Sequence, residues 1–568
     1  MAELNPVQPV PEAEGIQAGQ RSCSRLDTAF ARFLSARTSL DPLQKQAFEA
    51  IVTAVSYEQN QGHSCIQIDD QARTLLLASG LAETTPGSQA NTKPLIIEQD
   101  RLYLQRYWHY ENRLAKQIKA MARSECPPEK LDALLDAYFG AALDETDDQR
   151  EAAKMAAKQP FCIVTGGPGT GKTFTVVKIL ALLQELAEQP LHIALAAPTG
   201  KAAMRLQEAI GFSKTKLPCS ETIKNRIPET VTTLHRLLGA MPPSPYFRHH
   251  ADKPLAYDLV VVDEASMVDL ALMSKLVDAL KPCARLILLG DKDQLASVES
   301  GAVLADLAIA DALQENVYTL KKSHRFGGAI KELAEAVNRQ QPERAWQLLN
   351  DDAVQLLQTD LIDYVAAQQS DYLEMIKNRA GFEQVFQAFS RFQVLCANRQ
   401  GKNSVADINF RVEQKLAEQK RIDLSALWYP GRPVMITQNN PALHLYNGDI
   451  GICMPDSGAA NLGQFSKEQL MVFFQRADGS VKKYLPARVP HCETVFAMTI
   501  HKSQGSEFED VLIVLPEAIN PVLTKELLYT AITRAKKTVK LVAAQPVFVA
   551  AVRQKIARMT GLVDKFKS

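Results

Sequence analysis

The chain has 568 residues, 46% of them hydrophobic and 23% charged, and its 64 basic and 64 acidic side chains cancel to a net charge of +0. That length exceeds what one core can hold and predicts about three or four domains. The balanced charge excludes a uniformly basic nucleic-acid coat, so any nucleic-acid contact must be a local groove that grips and releases.

Met1 to about Arg25 reads as an arm that is loose or ordered by a partner. Leu26 to about Pro128 mixes short helical patterns with strand-like pieces such as 65–68. Further on, two β-rich runs, 94–98 and 101–108, flank an Asp100-Arg101 step that predicts a turn between strands. Tyr103, Tyr107, Trp108 and Tyr110 cluster there; base stacking, a core and a protein interface are the readings, and the interface is favoured. From about Asp144 to Arg339, apolar strands at 161–164, 192–196, 259–262 and 285–289 alternate with amphipathic helices. This is the pattern of a parallel sheet covered on both faces. A second set follows at 393–397, 511–515 and 538–543. Between its members, 430–489 holds short strands and turns, including Asn447-Gly448-Asp449-Ile450-Gly451, which predict a small inserted antiparallel barrel. After about Ala544 one amphipathic helix is expected. The nine cysteines stand singly with no C-x-x-C pair, so no zinc ribbon or iron–sulfur site is expected, and reduced thiols fit a cytoplasmic protein. No apolar run reaches about 18 residues, so no membrane span is expected.

The chemistry starts at Gly166-Gly167-Pro168-Gly169-Thr170-Gly171-Lys172-Thr173, between an apolar strand and a helical pattern. In that setting the glycine loop and first helical turn can cradle a triphosphate with backbone N–H groups. Lys172 would reach the β- and γ-phosphates and the Thr173 hydroxyl would hold Mg²⁺. The next motif, Val261-Val262-Asp263-Glu264-Ala265-Ser266, ends a buried strand in two carboxylates, where strand ends present ligands. Asp263 would support Mg²⁺ through water, and Glu264 would orient and deprotonate the attacking water. In Gly290-Asp291-Lys292-Asp293-Gln294, Gln294 could sense a γ-phosphate. Arg325, in Ser323-His324-Arg325-Phe326, and Arg534, in Thr533-Arg534-Ala535, could stabilise charge on the transferred phosphoryl, Arg534 from the opposite α/β unit as an arginine finger. The chain is expected to hydrolyse a nucleoside triphosphate.

These motifs, together with Thr199-Gly200-Lys201-Ala202-Ala203 and Thr499-Ile500-His501-Lys502-Ser503-Gln504-Gly505-Ser506-Glu507-Phe508, resemble the ordered set of superfamily 1 helicases over about 144–544. Thr233-Leu234-His235-Arg236-Leu237-Leu238-Gly239 and the 447–451 turn resemble the branch moving 5′ to 3′ on single-stranded DNA. The stretch 100–104 resembles the RecD (alpha) family of RecBCD, or exonuclease V, subunits. The resemblance implies an α/β fold of two RecA-like P-loop NTPase lobes with an inserted SH3-like barrel and an α-rich N-terminal domain. It implies ATP as fuel, with Gln149 reading adenine and His324 standing where such helicases often carry a base-stacking tyrosine. It places Thr199, Lys201, His235, Thr499 and His501 along the DNA track. The partners implied are single-stranded and duplex-end DNA and RecB-like and RecC-like subunits, in double-strand-break repair and recombination.

The boundaries expected are 1–140 for a partner-docking domain, 141–340 for the first motor lobe, 341–429 with 490–568 for the second, and 430–489 for the barrel. The proline-bearing insertion 241–257 is a candidate strand-separating wedge, with a plain surface loop as its alternative. A free-standing RecD-like helicase and a non-motor ATP-binding adaptor are the competing readings. Any exonuclease activity would belong to the complex, because no acidic metal constellation follows the motor.

Overall fold

The computed structural model describes residues 23–84, 93–123, 131–140, 147–297, 299–322, 328–440, 442–456, 469–476, 479–489 and 491–567. The chain divides into two units, one ending at His109 and the other starting at Tyr110. In the first, helices Arg25–Ser35 and Pro42–Asn60 open with capping boxes built on Ser24 and Asp41. They share a core with a four-stranded sheet through Phe48, Val52, Leu95, Ile97 and Leu102. The sheet order is Cys65–Gln67, Arg101–Leu104, Leu95–Glu98, Ala82–Thr84, with the last pair parallel. Glu98 pairs with Arg101, so the hairpin turns at Gln99-Asp100, one residue before the expected step, and Gln99 takes the positive φ of 53°. Tyr103 and Trp108 are buried at 0% and 5% exposure, so this half of the aromatic cluster serves a core and not a docking surface.

In the second unit the alternating pattern becomes two six-stranded sheets. The first runs Val317–Leu320, Phe161–Gly166, Arg285–Gly290, Leu259–Val262, Ile193–Ala197, Val231–Thr233, and every pair is parallel. Phe161–Gly166 and Leu259–Val262 are buried along their whole length, which explains why they read as continuous apolar runs. The two outer strands escaped the sequence reading because they are short and only partly covered. Helix Lys172–Leu186 packs over this sheet through Val176, Ile179, Leu180 and Leu183.

The second sheet runs Asn350–Asp351, Val354–Leu356, Ala535–Val542, Phe508–Val514, Phe392–Cys396, Ala497–Thr499, parallel except for its first pair. Between Phe392–Cys396 and Ala497–Thr499 the chain builds a separate antiparallel sheet. Its order is Val481–Tyr484, Leu470–Gln475, Ile450–Pro455, Pro433–Ile436, Cys492–Thr494. Val434, Ile436, Cys453, Val472 and Phe474 form its own small core. Among the described residues its two outer strands do not pair with each other. Asn447-Gly448 is turn, and the strand begins at Ile450.

Two features differ from the expected layout. Helix Gly328–Asn338 buries Ile330, Leu333, Ala334 and Val337 in the core of the second sheet, ahead of residue 341. The tail after Ala544 holds two helices, Gln545–Arg553 and Leu562–Lys567, instead of one. Gln545–Arg553 packs in the second lobe. Past it the chain returns to the first lobe: Arg558 donates to the carbonyls of Glu299 and Gly301, both at 2.8 Å, and to that of Ser297. Thr560 donates to Asp306 at 2.8 Å, and Leu562–Lys567 packs on Val303–Ile309. Among the described residues no helix is long and apolar enough to cross a membrane.

Candidate active site

The glycine loop joins the central strand Phe161–Gly166 to helix Lys172–Leu186, with Gly171 at the helix cap in the left-handed region, φ 81°. Gly166 is required by space: a Cβ there would come within 2.8 Å of the Thr170 hydroxyl and 2.9 Å of the Leu320 carbonyl. Thr170 closes the loop by donating to the Gly167 carbonyl at 2.9 Å. Lys172 is folded onto the loop, donating to the carbonyls of Gly166 at 2.6 Å and Gly167 at 3.0 Å. Thr173 follows it in the first helical turn, where backbone N–H groups lack intrahelical partners and attract anions.

Two strands away in the sheet, Asp263 and Glu264 end Leu259–Val262. Asp263 accepts from the Glu264 backbone N–H at 2.9 Å, and Glu264 takes a left-handed φ of 52° that turns the chain sharply. Burial, reinforced by the neighbouring Glu264 carboxylate, pushes the Asp263 carboxyl up to about 6, against the pull of Lys172 and Arg205. Gly290 packs its backbone near this acidic turn: a Cβ would lie 3.2 Å from Ser266 N. From the same strand end, Asp291 is buried and accepts from Gln294 Nε2 at 3.1 Å and from the Tyr529 hydroxyl at 3.0 Å. Tyr529 comes from the second lobe and sits over the loop, 3.1 Å from where a Gly167 Cβ would stand.

Arg534 arrives from the same lobe, 3% exposed. It donates through Nη2 to Gln294 Oε1 at 3.0 Å, through Nε to the Thr530 carbonyl at 3.0 Å and through Nη1 to the Ser506 carbonyl at 3.3 Å. Glu264 and Asp291 lend it opposing charge. The structure therefore brings Lys172, Asp263, Glu264, Gln294 and Arg534 around one cleft. His324 and Arg325 lie outside the described residues. Gln149 is the second residue of helix Asp148–Lys158. Its neighbour Asp148 ties the helix start beside the loop strand by accepting from Tyr318 at 3.2 Å and from the Lys321 N–H at 2.8 Å.

The expected track residues divide between the lobes. Thr199 caps helix Gly200–Lys214 by accepting from the Ala202 N–H at 3.2 Å, which places Lys201 in its first turn. Burial, with Arg205 and Arg534 adding to it, lowers the Lys201 ammonium to about 8, while Asp449 in the turn of the inserted sheet opposes the shift. On the second lobe, Thr499 accepts from the Lys502 N–H at 3.3 Å, and burial with Arg558 nearby holds the His501 imidazole below its usual range. His235 is exposed on Leu234–Leu238, and its ring lies 5.7 Å from Phe247. The neighbouring Arg236 bonds to the Tyr446 hydroxyl and stacks 4.6 Å over that ring.

Sequence reasoning did not assign Asp291, Tyr529 or Arg205. Asp291 lies inside the quoted Gly290–Gln294 motif, Tyr529 precedes Thr533-Arg534-Ala535 by four residues, and Arg205 follows the Thr199–Ala203 stretch by two.

Three family models match this chain. An AAA domain covers 149–300, a UvrD-like helicase C-terminal domain covers 494–542, and the N-terminal domain of the RecBCD enzyme subunit RecD covers 20–88. The RecBCD enzyme subunit RecD of Haemophilus influenzae is 36% identical, over 83% of this chain and 80% of its own. That of Mycolicibacterium smegmatis is 39% identical over 82% of each. The ATP-dependent RecD2 DNA helicase of Deinococcus radiodurans is 31% identical over 74% of this chain and 52% of its own. Among solved structures, a Bacteroides Pif1 helicase with ADP-AlF3 and single-stranded DNA aligns at a TM-score of 0.40 and 19% identity, over 73% of this chain and 95% of that one.

Proposed function

We propose a function from one premise: this chain belongs to the RecD family of RecBCD enzyme subunits. It is an ATP-dependent DNA helicase, the 5′–3′ motor of a complex with RecB-like and RecC-like partners that processes double-strand breaks in the cytoplasm. The observation that carries this is the contact of Arg534 with Gln294, which joins the far lobe to the phosphate-facing strand ends. A free-standing RecD2-like helicase is the weaker reading, since the match spans about half of that relative and the N-terminal match is to RecD.

In this mechanism Lys172 exchanges the Gly166 and Gly167 carbonyls for the β- and γ-phosphates of ATP. Glu264 takes the proton of the attacking water as the new bond to the γ-phosphorus forms and the bond to the β-bridging oxygen breaks. Arg534 balances the charge that spreads onto the phosphoryl oxygens, a task to which Arg325 is also assigned. Gln294 exchanges its bond to Arg534 for the γ-phosphate, so its partner reports whether the phosphate is present. The hard oxygen donors of Thr173 and Asp263 suit Mg²⁺, which binds through few protein oxygens and keeps several waters. When bound, the ion supplies charge neutralisation at the phosphates. Gln149 and His324 are assigned to the adenine.

We assign 1–140 to partner docking and 430–489 to an SH3-like module supported by its separate core. The packing of Gly328–Asn338 favours a lobe change near 328 instead of 341, and 241–257 is kept as the wedge. Thr199, Lys201, His235, Thr499 and His501 are assigned to the strand. Lys201 gives a pH test. Its charge is lost as pH rises through about 8, so affinity for single-stranded DNA should fall across that range. Lys201→Ala should lack that fall and should lower the slope of log affinity against log salt by about 0.7. Matching pH profiles for the two proteins would remove Lys201 from the track. The polarity test is unwinding by the full chain of duplexes with only a 5′ or only a 3′ tail. A 5′ preference is expected, and a 3′ preference would overturn the branch assignment.

A further inference from the structure

Helix Gly200–Lys214 carries two cations one turn apart, Lys201 and Arg205, on neighbouring positions of one face. Lys201 is assigned to the strand; Arg205 has no part in the hydrolysis steps above. Its guanidinium crosses to the second lobe, where Nη1 donates to the Gly505 carbonyl at 2.9 Å and Nη2 pairs with Glu507. Gly505 lies against the start of the same helix, a Cβ there standing 3.7 Å from that of Ala202.

The turn that Arg205 grips also reaches two other motifs. Gln504 donates to the Leu295 carbonyl at 3.0 Å, one residue past Gln294, and the Ser506 carbonyl accepts from Arg534 at 3.3 Å. The Glu264 and Asp263 carboxylates also lend Arg205 opposing charge. The Arg205 side chain is 36% exposed, so as a static ion pair it adds little to stability. Glu507 keeps a second partner, Lys536 at 3.4 Å. A weak clamp joining the strand helix to the turn beneath Arg534 is suited to transmission more than to holding the fold.

We propose that Arg205 is a positioning residue that couples strand binding to ATP hydrolysis. By holding Gln504 to Glu507 on the strand helix, it passes a displacement at Lys201 to Arg534 and Gln294. The inference rests on the helicase reading above.

The test is steady-state ATP hydrolysis by the full chain, with and without oligo-dT, for wild type, Arg205→Ala and Arg205→Lys. In Arg205→Ala the DNA stimulation of kcat should fall about tenfold or more. Its DNA-free rate and its KM for ATP should stay within about twofold of wild type. Arg205→Lys, which keeps the charge without the fork, should recover part of the stimulation. Undiminished stimulation in Arg205→Ala overturns the proposal, as does an equal fall of the DNA-free and stimulated rates. Should Arg205→Ala not fold, Arg205→Gln carries the same readout. A wild-type chain without any DNA stimulation would instead sink the helicase reading.

Discussion

Replacing Arg534 with alanine is expected to lower kcat for ATP hydrolysis by about 10³-fold, the scale on which an arginine supplied to a phosphoryl group acts. ATP affinity should change far less, because the loop and Lys172 remain. The guanidinium makes three hydrogen bonds to three separate acceptors, Gln294 Oε1 and the carbonyls of Thr530 and Ser506. Lysine cannot satisfy that fork, so Arg534→Lys should be nearly as slow as the alanine variant. Removing the side chain also strands buried acceptors at about 1–3 kcal/mol each, so thermal melting must accompany the kinetics. Binding of a fluorescent ATP analogue together with single-turnover phosphate release separates the two effects. A variant that stays folded and hydrolyses ATP within a few-fold of wild type would remove Arg534 from the cleft chemistry.

Lys172→Gln is the second large expected loss, about 10²–10³-fold or more in hydrolysis, with 5′–3′ unwinding abolished. Here binding and rate should both suffer, because the ammonium contributes charge to the phosphates throughout the reaction. Its bonds to the Gly166 and Gly167 carbonyls are local, and the residue is only half-buried, so the fold should survive with a similar melting temperature. Co-purification with the RecB-like and RecC-like partners should be unchanged. Undiminished unwinding by this variant alone would sink the motor assignment.

The glycine loop, the acidic strand end and the strands around them were legible because each is a local pattern. A buried parallel strand reads as an apolar run, and the loop is eight contiguous residues between a strand and a helix. The contacts of Asp291 with Tyr529 and of Arg205 with Gly505 were not legible, since each joins residues over a hundred positions apart. The same limit explains the aromatic cluster: composition cannot say that Tyr103 on its strand is buried while Tyr107, on the helix that follows, is only partly so. The side taken by helix Gly328–Asn338 is not legible either, since its apolar face names no sheet, and it is packing that puts Ile330, Leu333, Ala334 and Val337 in the core of the second.

The returning tail gives the two lobes a second chain crossing. The chain is in the first lobe at Val317–Leu320 and in the second from Gly328, and it comes back between Arg553 and Leu562, where Arg558 is pinned to three carbonyls of the first lobe. A body joined to another at a single point can swivel in every direction. Joined at two, it swings about the line between them, as a door does on a pair of pins. Opening and shutting of the cleft is thereby restricted in the directions it can take.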